Sequence, residues 1–251
     1  MTRLKKTASI LGAFILMGLI AGTAPAEAQS IALDLGGDDG SATGRLLQIF
    51  MIITVLSLAP SIMIMVTSFT RIVIVLAFLR TAMGTQQTPP TQVLISLALF
   101  LTLFVMAPTF EKAYDAAVTP LIAGEIDEIQ AFERGIGPFR DFMMRHVREQ
   151  DLLLFIDMGN IPEEEARTNL PLRVLIPAFM IGELKRAFEM GFLIFLPFLV
   201  IDMVVASVLM SMGMMMLPPI IIALPFKIIF FVLVDGWYMI VGSLVRSFGP
   251  G

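Results

Sequence analysis

Four long apolar runs, at residues 46–79, 93–107, 190–212 and 217–234, constrain this chain more than any other feature. A helix needs about 20 mainly apolar residues to cross the hydrocarbon core of a membrane. Hydrophobic residues make up 57% of the 251 positions and charged residues only 15%, against about 45–50% and about 25% in soluble domains. The expected fold is an all-α integral membrane protein. Two hydrophobic helical hairpins with broken, Pro-kinked helices, residues 46–110 and 177–251, flank a charged helical insert at 111–176. No internal repeat or low-complexity tract is visible. With no cysteine, disulfides, thiolate metal sites and cysteine nucleophiles are excluded. A net charge of −4 gives no reason to expect a nucleic-acid partner.

Residues 1–28 read as a cleavable secretory signal. Arg3, Lys5 and Lys6 form a basic start, a short apolar run covers Ile10 to Ile20, and small residues around Ala26 and Ala28 supply the cleavage site. An uncleaved anchor is the other reading, and the run is short for one. Residues 29–45, rich in Gly and Asp, would then be a flexible mature N-terminus outside the inner membrane of a bacterium.

The first run is too long for one straight span, and Pro60 inside it predicts a kink. Gly84 to Thr91 is a turn-rich link, and a second helix is expected from Gln92 to Ala107, ending at Pro108. Residues 111–173 hold 20 of the 38 charged residues and form the water-facing part. Within it, Phe139, Phe142, Met143 and Val147 share a helical face, with Arg140, Arg145 and Arg148 off it. That face packs on neighbouring elements or docks on a partner subunit. Asn160 to Glu165 reads as a helix start, with Pro162 in the first turn. Pro197 and Pro225 are expected to break the helices of the second hairpin. Four spans from a secreted N-terminus place 111–173 in the periplasm. Arg71 and Arg80 fit the positive-inside rule and Lys185 and Arg186 do not, so four simple spans are a strained description.

Charges at membrane depth are costly and usually face a partner or a cavity. Asp202 and Lys227 are the informative pair. Their midpoint falls in the methionine run, so a hairpin would bring them level on adjacent helices. Either they form a buried ion pair that fixes the register, or each finds a separate partner in another subunit. Met210, Met212, Met214, Met215 and Met216 crowd one turn. Such flexible, polarizable side chains fill irregular gaps. They serve as plain packing or, around a common axis, as a gasket. There is no phosphate loop and no HExxH helix, and His146, the only histidine, cannot build a typical zinc site alone. It reads as a surface or interface residue. No catalytic residue, cofactor or metal ligand is expected. A secondary transporter or channel for small solutes is the alternative that broken helices and intramembrane charges allow.

Three stretches together resemble one family: SFTRIVIVL at 68–76 leading to GTQQTPP at 84–90, PAFMIGELKRAFEMGF at 177–192, and LPFKIIFFVLVDGW at 224–237. Their pattern is similar to that of the FliP family of flagellar type III export-gate subunits, which has homologues in virulence secretion systems. The residues that carry it include Pro177, Phe179, Glu183, Phe188, Gly191, Pro225, Phe226, Lys227, Asp235, Gly236 and Trp237. Gly182 departs from the pattern, where Ser or Thr is usual. The signal sequence favours the flagellar branch. The resemblance implies a homo-pentameric ring completed by FliR and FliQ with FlhB attached, a channel for unfolded flagellar subunits, and a place in the inner membrane and on its periplasmic side within the basal body. It implies a gating loop at Met214, Met215 and Met216, and no catalytic residue.

Overall fold

A computed structural model describes residues 42–162, 170–214 and 217–249. The chain divides into two units, residues 1–51 and 52–251. The packing below belongs to the second. The signal sequence, most of 29–45, the stretch 163–169 and Met215–Met216 lie outside the described residues.

All described elements are helical. They are α1 (Ala42–Met65), α2 (Phe69–Met83) and α3 (Thr91–Ala113), which runs through a π turn (Tyr114–Val118) into α4 (Thr119–Ile122). Then come α5 (Glu128–His146), α6 (Glu149–Met158), α7 (Leu172–Ser211), α8 (Pro219–Leu233) and α9 (Gly236–Arg246).

The link at 84–90 with Pro89 and Pro90 separates two helices as expected, but the prolines inside the apolar runs do not end their helices. α1 continues through Pro60, and the first apolar run breaks instead at 66–68. Two hydroxyls there compete with the helix backbone: Thr67 Oγ1 and Thr70 Oγ1 both donate to the Ile64 carbonyl, at 3.3 and 3.4 Å. α3 runs past Pro108, so the helix expected to stop there extends to Ala113 and beyond. α7 contains Pro177 and Pro197 and α8 contains Pro225, each without a break. One missing N–H per proline is tolerated where neighbouring helices hold the segment. A further corner of the second hairpin is at Asp235. That residue adopts left-handed φ of 51°, and α8 and α9 meet at a bend of 63°. Asn160 adopts φ of 47° just after α6 has ended; the helix expected to start at Asn160 or Ile161 runs into 163–169, outside the described residues.

Among the described residues two helical stretches are long and apolar enough to cross a membrane, Thr91–Ile122 and Leu172–Ser211, and the bent α8–α9 pair is a third if it counts as one span. That agrees with the strain already visible in a description by four simple spans. α7, at 40 residues, is about 60 Å long, twice the ~30 Å hydrocarbon core. Lys185 and Arg186 lie in its first half, which packs beside the charged insert.

α7 is the axis of the fold, packing mainly on α2 and also on α5, α6 and α8. Three apolar clusters lie along it. Phe142, Met143, Leu175 and Phe179 join the insert to the start of α7. Ile72, Leu76, Ala98, Ala187 and Leu244 join α2, α3, α7 and α9. Leu79, Ala82, Phe198 and Phe231 join α2, α7 and α8. Phe139 and Val147 also pack against the first cluster. The helical face read from the insert is therefore turned inward on its neighbours.

The α2–α7 contact depends on Gly191. A Cβ there would lie 2.6 Å from the Phe78 ring, which no side chain tolerates. Phe78 also meets Phe188 edge to face, with centroids 5.0 Å apart. Gly191→Ala is therefore expected to destabilise the chain by about 1–3 kcal/mol through overpacking. Phe78→Leu in the same chain should recover part of that loss. Thermal unfolding in detergent, followed by circular dichroism, measures both; an unchanged midpoint in Gly191→Ala would show that the helices are not in such close contact.

Candidate functional site

The most deeply buried polar group is an ion pair that joins α2, α7 and the end of α9. Arg71 is 1% exposed and Glu183 0%. Arg71 Nε donates to Glu183 Oε2 at 2.8 Å, and Nη2 donates to Oε1 in the same fork. Nη1 turns the other way and donates to the Ser247 carbonyl at 3.1 Å and to its Oγ at 2.9 Å. The guanidinium lies 3.7 Å above the Phe248 ring. Every face of the cation thus has a partner, as burial demands. Arg186 Nη1 is 3.9 Å from Glu183 Oε1 and adds a second, weaker attraction.

Beside this pair sits His146. It is 9% exposed, so of the surface and interface readings the surface one does not hold. Its ring lies between Phe142 and Phe248, with centroids 4.5 and 5.5 Å away, and Nδ1 is 2.8 Å from the Phe142 carbonyl. Burial lowers its pKa below the usual 6.5, against the smaller opposing effect of that hydrogen bond. Neutral imidazole then donates through Nδ1.

The second pair is the half-buried Asp202 on α7 with the buried Lys227 on α8. Lys227 Nζ donates to Asp202 Oδ2 at 2.7 Å and to the Ala82 carbonyl of α2 at 3.2 Å. Lys227 is 4% exposed. The second Asp202 oxygen, Oδ1, is buried without a hydrogen bond among the described residues. One lysine therefore ties α2, α7 and α8 together.

Other motif residues build packing. Phe179 is fully buried and meets Phe142 edge to face at 5.9 Å. Trp237 meets Phe231 at 5.5 Å, edge to face, across the Asp235–Gly236 corner. Phe226 is 55% exposed on α8. At Gly182, a Cβ would stand 3.2 Å from Asp151 Oδ2. Asp151 is buried and held in a fork by Arg148, with Nε and Nη2 donating at 2.7 and 2.6 Å. The departure from Ser or Thr at 182 thus leaves room for a carboxylate already paired elsewhere.

The methionine turn lies at the far end of the α7–α8 hairpin. Gly213 takes φ of 74°, a left-handed conformation that ends α7 and that glycine adopts without strain. Met210, Met212 and Met214 are 56%, 66% and 41% exposed. Among the described residues no three His, Asp or Glu side chains gather as metal ligands.

Sequence reasoning singled out Asp202 and Lys227 but did not pair Arg71 with Glu183, though both lie in the quoted motifs. Arg71, a charge inside an apolar run, was the available signal.

The comparisons with known proteins bear on the same segments. The FliP family model matches residues 52–244, which span both ion pairs and the methionine turn. The chain belongs to the FliP family. It is 60% identical over 229 residues to the flagellar biosynthetic protein FliP of Caulobacter vibrioides, covering 91% of this chain and 86% of that one. It is 56% identical to the Bacillus subtilis protein of the same name, covering 83% and 93%. With the Rhizobium meliloti protein the identity is 51%, covering 94% and 98%.

The hairpin pair yields a direct test. Reversing either charge, Asp202→Lys or Lys227→Asp, places two like charges in contact and should abolish assembly of the chain in membranes. Combining the two should restore it, measured as the fraction recovered intact by size exclusion in mild detergent. A double variant no better than the singles would show that each residue serves a different partner.

Proposed function

We propose that this chain is a core subunit of the flagellar type III protein export gate. In this reading several copies, most simply a pentamer, form a ring. FliQ, FliR and FlhB complete it, in and on the periplasmic side of the bacterial inner membrane within the flagellar basal body. Unfolded flagellar subunits pass through the channel. The chain supplies structure and a seal, with no chemistry of its own and no cofactor.

The observation that carries the reading is family membership over residues 52–244, together with relatives named as flagellar biosynthetic proteins. The distribution of polarity supports an assembled state. Charges are buried inside the chain, while Phe100, Phe104, Leu193, Ile220 and Leu233 are 64–80% exposed. A surface of that kind requires lipid or other subunits against it. The exposed Met214 supports a seal, since methionine adapts to varied surfaces. Repeated around one axis, Met214, Met215 and Met216 form a gasket that yields to a passing chain.

Replacing Met214, Met215 and Met216 together with Ala should leave the oligomer intact by native mass and make it leak small ions when reconstituted in liposomes with its partner subunits. A variant that stays tight would overturn the gasket. A monomer that transports a solute unaided would move the weight to a small-solute transporter.

A further inference from the structure

We propose that the junction of α3 and α5 is a binding site for one anionic phospholipid headgroup, most simply phosphatidylglycerol, whose acyl chains lie along the exposed face of α3. This rests on α3 being a membrane helix and not on the export reading.

The first observation is a pair of adjoining hollows, about 350 and 290 Å³ in volume, that share Thr109, Lys112 and Arg145 in their walls. The apolar run of α3 ends at Ala107, and Lys112 stands five positions beyond it. It is exposed and makes no hydrogen bond or ion pair among the described residues. Arg145 is also exposed, and of its guanidinium nitrogens Nε donates to the Asp141 carbonyl at 3.3 Å. Asp141 lines one hollow as the opposing charge, so two cations face one carboxylate.

The second observation is what lies on the membrane side of those cations. Phe104, Val105 and Pro108 line the smaller hollow. Phe104 and Phe100, one turn earlier, are 69% and 70% exposed. A free phosphate has no use for such a surface, whereas an acyl chain does. Cations just beyond an apolar stripe match the order of groups in an anionic lipid, headgroup first and hydrocarbon behind. The third is His146, which lines the same hollow. Its Nδ1 is committed to the Phe142 carbonyl, so the neutral ring offers Nε2 as an acceptor. A glycerol hydroxyl can donate to that acceptor and a choline headgroup cannot. Phosphatidylglycerol therefore fits the wall better than a zwitterionic lipid.

The test is native mass spectrometry of the full chain, purified in mild detergent and offered equal amounts of phosphatidylglycerol and phosphatidylcholine with matched acyl chains. One phosphatidylglycerol should be retained in preference. Lys112→Gln and Arg145→Gln should each lower that retention roughly fivefold, the worth of one cation beside an anionic surface, and leave phosphatidylcholine unchanged. Arg134→Gln, an exposed cation on α5 outside both hollows, should change nothing. Both test positions are exposed, and an unaltered melting curve confirms that each variant folds. Equal retention of the two lipids would overturn the proposal, as would selectivity that survives in the double variant. Displacement of the lipid by inorganic phosphate alone would also overturn it, in favour of a free-anion site.

Discussion

The fork between Arg71 and Glu183 is the interaction on which the remainder of the chain depends. Burying two ions costs several kcal/mol each, and only close geometry with every hydrogen-bonding group occupied repays it. Here the planar guanidinium meets the carboxylate along one edge, the Ser247 backbone and hydroxyl along another, and the Phe248 ring on its face. Lysine could hold the charge but not this set of directions. Because the three partners come from α2, α7 and the segment after α9, the pair fixes where three distant parts of the chain meet. The apolar clusters on either side of it can tolerate small shifts; the fork cannot.

The second pair repeats the logic further along the same helix. Glu183 and Asp202 are 19 positions apart on α7, a rise of about 28 Å. Each binds a cation that also reaches α2 or is borne by it. Two ionic clamps at two levels thus hold α2 against α7, with Gly191 and Phe78 in close contact between them. This inverts the arrangement of a soluble protein. Polar groups make the interior specific, and the apolar surface is left for lipid and neighbouring subunits. Transmembrane helices gain little from hydrophobic contact with one another, so fixed polar contacts and small-residue packing take over the task of specifying the fold.

Much of this was legible before any coordinates. Apolar run length gave the helical class, and the charge density of 111–173 marked the insert. The short turn between α7 and α8 made the separation of Asp202 and Lys227 geometrically informative. Arg71 and Glu183 offered no such arithmetic, because the whole insert lies between them. Some prolines misled: Pro108, Pro197 and Pro225 read as breaks by the rules for helices in water, yet each sits inside a helix held by its surroundings. The hydroxyls at Thr67 and Thr70 were the better signal for the break at 66–68. The burial of His146 depends on Phe248, more than a hundred positions away, and no local pattern announces it.

The most direct measurement is a double-mutant cycle on the fork, using Arg71→Leu, Glu183→Leu and the combination, read as thermal unfolding of the full chain in detergent. Each single variant strands a buried charge and should lose about 3–5 kcal/mol, read as a lowered unfolding midpoint. The double variant removes both charges and should recover most of that loss. Single variants close to the parent, or a double variant as poor as the sum of the two, would contradict an interior organised around this pair.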